Sequence, residues 1–443
     1  LAAGQGTRMK SDLPKVLHPL AGRPMISHLL DSIGRLNPAR VVTVLSPAVR
    51  ERVEPVVADT IIAVQDPPKG TGHAVMAARE AMAGFSGDVL VMFGDTPLVT
   101  EATLRAMQAA RRGSGNPAVA VLGFRPDDPA EYGRLIRGAD GNLNRIVEFR
   151  DADTDERTVG LCNAGVMAVD GEVLFDLLDA TDNDNAKGEY YLTDIVAAAR
   201  AAGRVCTVVE GDPDEVLGIN SRAQLAGAEA ILQNQLRAAA MENGATLIDP
   251  ATVYFSFDTA LGRDVTVGPN VVFGPGVSIA DGVEIKAFCH LDNCRVAAGA
   301  TIGPFARLRP DADIGPGARV GNFVEVKNAV IEEGAKINHL TYVGDAHIGA
   351  KANIGAGTIT CNYDGFMKWR TEIGPGASIG SNTSLVAPVT VGAGAITGAG
   401  SVIRDDVPAD ALAVSAGPQT NKDGFAVGYR EAKAAEKAAK RKS

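Results

Sequence analysis

Apolar positions follow two different rules along the chain. Through residues 1–220, short apolar runs alternate with amphipathic stretches. "RVVTVLS", "TIIAV", "DVLVMF" and "PAVAVLG" predict buried strands. "RPMISHLLDSIGRL", "TGHAVMAAREAMA" and "TEATLRAMQAARR" predict the helices between them. Such alternation implies a Rossmann-like α/β domain, a mostly parallel sheet with helices on both faces. Its ligands belong beyond the carboxyl ends of the strands, where the opening loop and the "GDTPL" loop fall. In residues 221–243, Leu225, Ala228, Leu232, Leu236 and Ala239 make one helical stripe. Ser221 is a candidate N-cap and Gly244 a stop signal, so this helix reads as a connecting arm. The expected domains are 1–220, a helical linker 221–244, and 245–443.

From Leu261 the period becomes six. Leu261, Val267, Phe273, Ile279, Ile285 and Leu291 come first; a five-residue step leads to Val296, Ile302, Leu308, Ile314, Val320 and Val326. Ile331, Ile337, Val343, then Ile348, Ile354, Thr360, and finally Ile373, Ile379, Leu385, Val391, Thr397 and Ile403 continue it. Of these 24 positions, 22 are Leu, Ile, Val or Phe and two are Thr. Glycine often follows directly, and Ala or Val usually stands four positions later. A large aliphatic, a turn residue and a small residue in each six predict a parallel β-helix, with aliphatics stacked on the axis and glycines at the corners. The one interruption, residues 361–371 ("CNYDGFMKWRT"), holds the only Trp and reads as a loop expelled from the coil. The tail "YREAKAAEKAAKRKS" carries six Lys/Arg against two Glu and predicts a solvated helix.

Composition then narrows the class. The 443 residues carry a net charge of −10, which argues against nucleic acid as the main partner. No window approaches 18 consecutive apolar residues, so no membrane span is expected. The five cysteines (Cys162, Cys206, Cys289, Cys294, Cys361) are scattered and odd in number, which fits the reducing cytoplasm rather than a disulfide framework. Cys289 and Cys294 lack the partners of a zinc site.

Candidate chemistry starts at the first residues. "LAAGQGTRMKSDLPK" sets Gly4 and Gly6 beside Arg8, Lys10 and Lys15. Glycine lets backbone approach a ligand, and exposed N–H groups with cations cradle phosphate. The stretch reads equally as a strand-to-helix turn with solvated cations, and it is neither a Walker loop nor a dinucleotide fingerprint. The first strand starts abruptly at Leu1, so a few residues are expected upstream. Asp95, after a buried strand, reads as a cap or as a ligand for a hard cation. Six histidines are present (His18, His28, His73, His290, His339, His347), any of which could be structural.

The motifs decide among these readings. "LAAGQGTRM" with "LPKVLHPLAGRPM", then "VQDPPKGTGHAV", "GDTPL", "EYGRL", "IVEFRDA", "NAGVM", "GEYYLTDI" and "GIN", resemble the sugar-phosphate nucleotidyltransferases in order. "RLRPDADIG", "GNFVEVKNA", "INHLTYVGDAHIG", "NIGAGTITCNYDG" and "PQT" resemble the hexapeptide-repeat acyltransferases. Residues 1–425 together resemble the bifunctional N-acetylglucosamine-1-phosphate uridyltransferase and glucosamine-1-phosphate N-acetyltransferase family. The resemblance implies a left-handed β-helix, a homotrimer with acetyl-transfer sites between subunits, and supply of UDP-N-acetylglucosamine for cell wall and lipopolysaccharide. Its substrates would be UTP, N-acetylglucosamine 1-phosphate, glucosamine 1-phosphate and acetyl-CoA, with Mg2+ as cofactor.

For uridylyl transfer the resemblance assigns Leu1, Ala2, Gly4, Arg8 and Lys15 to the phosphates and nucleotide. It assigns Gln65, Gly70 and Thr71 to uracil, Gly133, Glu148 and Asn163 to the sugar, and Asp95 with Asn220 to the metal. His73 reads as structural. For acetyl transfer it makes His339 the general base, a role suited to histidine near neutral pH. Arg309, Lys327 and Lys368 would hold the sugar phosphate; Tyr342, Asn353, Asn362 and Tyr363 match sugar-site positions. Ala356, Ser381 and Ala399 match positions lining the coenzyme site. One departure is Ala416, where the family commonly has a basic residue before "PQT"; weaker coenzyme binding or substitution by Lys422 are the two expectations. A monofunctional nucleotidyltransferase on a β-helical scaffold is opposed by the intact His339, Lys327 and Lys368 set. A non-catalytic regulatory subunit is opposed by Asp95 and the basic loop.

Overall fold

The structure, a computed structural model, describes residues 1–129, 132–185, 187–415, 417 and 419–440. Ala416 lies outside the described residues, as do 441–443 at the end of the tail. Contacts divide the chain into one unit of Leu1–Ala239 with Phe255–Asp258 and another of Ala240–Tyr254 with Thr259–Ser443.

In the first unit the four expected strands form as Val42–Leu45, Ile61–Val64, Asp88–Val91 and Val119–Phe124. The first two pair in parallel. The other two belong to a six-stranded sheet centred on the long strand Cys162–Asp170. There the expectation of a mostly parallel sheet fails. Cys206–Glu210 runs parallel to Val119–Phe124, but Cys162–Asp170 is antiparallel to Asp88–Val91, Val119–Phe124 and Arg134–Arg137. A fully buried apolar run looks the same in either direction, so polarity is set by the connections and not by the run. Leu1 and Ala2 join the two sheets: the Ala2 amide donates to the Val44 carbonyl at 2.8 Å, and the Gly94 amide to that of Leu1 at 2.9 Å.

Helices form at Met25–Gly34 and Glu101–Arg111, the latter capped by Thr100, whose hydroxyl accepts the Thr103 amide at 3.3 Å. "TGHAVMAAREAMA" is helical only over Thr71–Met76 and continues as turns. Its Val75 and Ala78 are still buried; the apolar pattern marks the inward face, not the length of the hydrogen-bonded ladder. The helix Arg222–Glu242 is capped by Ser221, which accepts the Gln224 amide at 3.2 Å, and ends at Gly244 with φ +99°. Leu225, Ala228, Ile231 and Leu232 pack it against Leu20, Met25, Leu98 and Ile219. Ala239, expected on the stripe, is exposed, while Gln233 and Arg237 are buried. Gln233 explains itself: its amide donates to the Phe255 carbonyl at 2.6 Å and accepts the Phe255 amide at 2.8 Å, satisfying backbone that has no ladder.

The second unit is a parallel β-helix. Two- to seven-residue strands stack coil on coil, with ladder partners mostly 17 or 18 residues apart, as in Thr266↔Glu284↔Thr301↔Arg319, and 25 apart where the expelled loop intervenes, as in Ile354↔Ile379. All 24 phased positions are buried except half-buried Leu261. The small residues of the repeat fill the space between them; Val271, Ala318 and Ala335 are completely enclosed. Corners are not left to glycine alone. Asp264, Asn270, Asn293, Asp311, Asn328, Asp345 and Asn382 take φ between +39° and +66°, the region Asn and Asp tolerate. Phe288, Phe305, Phe323 and Leu340 do so as well, at φ +50° to +61°.

The expelled segment folds on itself through a Tyr363–Lys368 bridge and leaves Phe366 92% exposed. The tail forms the exposed helix Phe425–Lys440. Among the described residues no helix is long and apolar enough to cross a membrane.

Ile302 is fully enclosed in the middle of the coil. Ile302→Ala should lower the unfolding free energy of the β-helix by about 2–5 kcal/mol, read as an earlier denaturant midpoint.

Candidate active sites

In the first unit a cavity of about 280 Å3 is lined by Leu1, Ala2, Gly4, Lys15, Gln65, Gly70, Thr71 and Asp95, all predicted from sequence. A larger hollow of about 530 Å3, between Val42–Leu45 and Asp88–Val91, is walled mainly by apolar groups; of the predicted residues it includes only Leu1 and Ala2. Convergent polar groups, not size, mark the site. The Lys15 ammonium bonds the Asp95 carboxylate and, at 3.0 Å, the Asn220 amide oxygen. Two protein oxygens 125 positions apart in sequence thus converge on one cation, and the Ile219 amide, donating to the Asp95 carbonyl at 2.9 Å, fixes their approach. No cluster of three or more His, Cys, Asp or Glu fit to hold a metal exists among the described residues. Two oxygens are nevertheless what a hard divalent cation that keeps waters and phosphate oxygens requires.

Two glycines are obligatory here. Gly6 has φ +68°, and a Cβ there would lie 2.5 Å from Lys15 Cβ. Gly70 has φ +104°, and a Cβ would meet the Tyr190 carbonyl at 2.5 Å. The Gly70–Thr71 turn is stitched to "EYYL": the Gly72 amide donates to the Tyr190 carbonyl at 2.8 Å, and the Thr71 hydroxyl accepts the Leu192 amide at 3.0 Å. Gln65 is buried, and its NH2 is spent on the Gly70 carbonyl at 2.9 Å and His73 Nδ1 at 3.3 Å. It therefore offers a ligand its carbonyl oxygen rather than both halves of the amide. His73 is a buttress, as expected. Arg8 is exposed and outside the cavity lining.

The three sugar-side residues form a neighbouring group. The Asn163 amide donates to the Gly133 carbonyl at 2.8 Å, and Val147, beside Glu148, also lies against Gly133. Burial raises the Glu148 carboxyl above its ordinary range, opposed by Lys187 and by a hydrogen bond with Thr193. Burial, then Asp182, Glu148 and Asp151, push Asp194 up to about 6. Sequence reasoning did not single out Thr193, Lys187 or Asp194; "GEYYLTDI" contained two of them.

In the second unit one column rises along the outside of the coil. Asn322 and His339 are direct ladder partners. The register of the next strands (Ile337↔Ile354, Ile354↔Ile379) sets Ala356 and then Ser381 above His339. The Gly400 amide, donating to the Ser381 carbonyl at 2.8 Å, brings Ala399 onto the same column. Three small side chains therefore stack over the predicted base. His339 is exposed, with Nδ1 2.8 Å from the Asn322 amide oxygen. Asn353 lies three positions before Ala356 on this face.

A second column, across the Leu340–Thr341 corner, carries the cations. Arg309 bonds Glu325 at 2.7 Å and follows Leu308, the partner of Val326, so it stands beside Lys327. Lys368 reaches toward Lys327 from the expelled loop; the approach of the two like-charged ammoniums, with Arg309, lowers the Lys327 pKa. Beside them, buried Asp345 accepts from Asn328 at 2.5 Å and from Asn362. Tyr342 lies over Gly344, where a Cβ would fall 2.3 Å from its hydroxyl. The exposed Tyr363 spends its hydroxyl on the Gly365 carbonyl at 2.6 Å.

A nucleotide-type α/β unit with a cation clamp, followed by a β-helix with a histidine column, defines a two-module transferase. Comparison agrees: residues 1–140 match the MobA-like NTP transferase domain, and residues 370–405 the bacterial transferase hexapeptide (six repeats). The bifunctional protein GlmU of Paramagnetospirillum magneticum is 62% identical over 440 residues, 99% of this chain and 98% of that protein. That of Rhodospirillum rubrum is 63% identical over 430 residues, 97% and 96%, and that of Paracoccus denitrificans 54% over 436, 98% and 96%. The chain belongs to the bifunctional GlmU family.

Asp194 supplies a test of the acidic pocket. A carboxyl whose folded pKa stands near 6, above the ordinary aspartate value of 3.8, favours the folded state only while protonated; that advantage is lost as pH rises through 6. Asp194→Asn should therefore raise the melting temperature at pH 7 by about 2–4 °C, the response to about 1 kcal/mol after discounting for solvent exposure, and leave it unchanged near pH 3.5.

Proposed function

We propose that this chain makes UDP-N-acetylglucosamine in two reactions at two separate sites. The β-helix acetylates glucosamine 1-phosphate from acetyl-CoA, and the α/β unit joins the N-acetylglucosamine 1-phosphate to UMP from UTP, releasing pyrophosphate. The observation that carries this reading is that Lys15, Gln65, Gly70, Thr71 and Asp95 line one cavity of the α/β unit, while the second motif set falls wholly on the β-helix, in one column with His339 and another with Arg309, Lys327 and Lys368.

In acetyl transfer, Arg309, Lys327 and Lys368 bind the sugar phosphate, while Tyr342 and Asn362 line the sugar. His339 Nε2 takes a proton from the sugar amine, whose nitrogen attacks the thioester carbonyl as the C–S bond breaks and CoA leaves. Ala356, Ser381 and Ala399 leave room for the coenzyme. The lowered Lys327 pKa follows from the neighbouring Lys368 and Arg309 outweighing Asp345, an excess of positive charge that a bound phosphate would relieve.

In uridylyl transfer, the sugar phosphate oxygen attacks the α-phosphorus of UTP. Both reactants are anionic, so orientation and charge neutralisation do most of the catalytic work. Gln65 and Gly70 orient uracil, Gly133, Glu148 and Asn163 the sugar. Asp95 and Asn220 would hold Mg2+, which supplies neutralisation of the phosphate charge. Lys15, bonded to both in the structure, is then free to turn to the phosphates.

The acetyl-transfer site is shared between copies in a homotrimer. Two features support this: the histidine column and the cation column lie on different faces of one coil, and a ladder of exposed rings runs along an edge. Phe288, Phe305 and Phe323 stack with centroids 4.9 and 5.1 Å apart and are 51%, 44% and 56% exposed. Such a strip is unusual on a surface that stays in water.

The defining experiment supplies glucosamine 1-phosphate, acetyl-CoA, UTP and magnesium and looks for UDP-N-acetylglucosamine. Asp95→Ala should cut uridylyl transfer at least about 100-fold and spare acetyl transfer; His339→Ala should do the reverse. Loss of both activities from either change in folded protein refutes the two-site reading. Phe305→Glu should yield monomers by light scattering that retain uridylyl transfer and lose acetyl transfer; a fully acetylating monomer refutes the shared site.

A further inference from the structure

The imidazole assigned as base is held from below. Asn322 ends the strand Arg319–Asn322, His339 ends Lys336–His339, and the two are partners on successive coils. Asn322 contacts the histidine turn twice. Its backbone carbonyl accepts the Leu340 amide at 3.0 Å, and its side-chain oxygen lies 2.8 Å from His339 Nδ1. An amide oxygen accepts and cannot donate. The ring must therefore carry its proton on Nδ1, which leaves the Nε2 lone pair facing away from Asn322.

We propose that Asn322 is a positioning residue for acetyl transfer, fixing His339 as the Nδ1–H tautomer with Nε2 as the proton acceptor. This rests on the reading of His339 as the general base.

The rung is built for the contact. A Cβ on Gly321 would lie 1.9 Å from the Asn338 carbonyl, so the two coils approach here as closely as backbone permits. The Thr341 hydroxyl donates to the His339 carbonyl at 2.7 Å, which fixes the histidine backbone as well. The choice of amide over carboxylate has a consequence. Either group accepts from Nδ1–H, but a carboxylate stabilises the imidazolium and raises its pKa, leaving less free base at neutral pH. A neutral amide sets the tautomer without that penalty. The other ionisable groups on the adjoining strands do not replace it. Arg319 and Lys336 are exposed three positions back on the same rungs; across the corner, Glu325 is bonded to Arg309 at 2.7 Å, and Tyr342 lies over Gly344.

The test measures acetyl transfer against pH for the full chain and for Asn322→Ala, Asn322→Asp and His339→Ala, with the thermal melt and the light-scattering mass of each variant as the folding control. Asn322→Ala should lower kcat about tenfold with the KM for acetyl-CoA within about twofold, because the tautomer is released while the pocket remains. Asn322→Asp should recover kcat at high pH and move the acid limb of kcat/KM upward by about one pH unit. If both Asn322 variants keep wild-type kcat and an unmoved limb while His339→Ala is inactive, Asn322 has no positioning role and the base assignment stands. If His339→Ala still acetylates, the base assignment falls and the role of Asn322 with it.

Discussion

The register between successive coils governs the C-terminal half. Burying one Ile or Leu is worth about 1.5–3 kcal/mol, whereas fixing the backbone of six residues costs about 6–12. A single repeat therefore cannot stand by itself. It becomes stable when the next coil covers its aliphatic, shares its ladder bonds and lends its small residue to fill the gap, so stability is a property of neighbouring coils. The same stacking turns a 17- or 18-residue step along the chain into one rung in space. A histidine, the asparagine that bonds its ring and three small residues can then align although they come from positions 339, 322, 356, 381 and 399.

The N-terminal half solves its problem differently. Its site is not a column on strands but a meeting of loops at strand ends, drawn together by one ammonium. Lys15 joins Asp95 and Asn220, groups 80 and 205 residues away. The pair is only 12% and 18% exposed, so its charges are poorly screened by water and strongly coupled. One ammonium thus holds two oxygen-bearing loops in fixed relation to the opening turn. Among the cations of the β-helix, Lys327 has Lys368 and Arg309 outweighing Asp345, which lowers its pKa.

The two halves also differ in what their glycines and corners do. In the α/β unit, Gly6 and Gly70 are required by close approach of other segments. In the β-helix, corners take Asn, Asp and even Phe at positive φ, and the aromatic ones project a stacked strip outward. Bulky residues held in a sparsely populated backbone region point to a use for the surface they create.

Much of this was readable in the residues. The six-residue phase named 24 axial positions, and 23 are buried; Gly4, Lys15, Gln65 and Asp95 do line one cavity. The axial positions survive because they depend on local chemistry, a side chain either repeating on one face or not; the cavity residues survive because they sit in distinctive motifs. What the sequence could not decide were relations between segments that share no local signal. Strand direction in the six-stranded sheet, the burial of Gln233 in place of Ala239, and the second duties of Thr71 and Tyr363 depend on which backbone comes to rest beside them. The Phe288–Phe305–Phe323 strip and the Asn322–His339 pair repeat at 17 or 18 residues, a spacing present in the sequence but hidden beneath the stronger six-residue beat. Periodicity determined that the chain must coil; only the coil, by setting one rung a hydrogen bond away from the next, decided which nitrogen of His339 carries the proton.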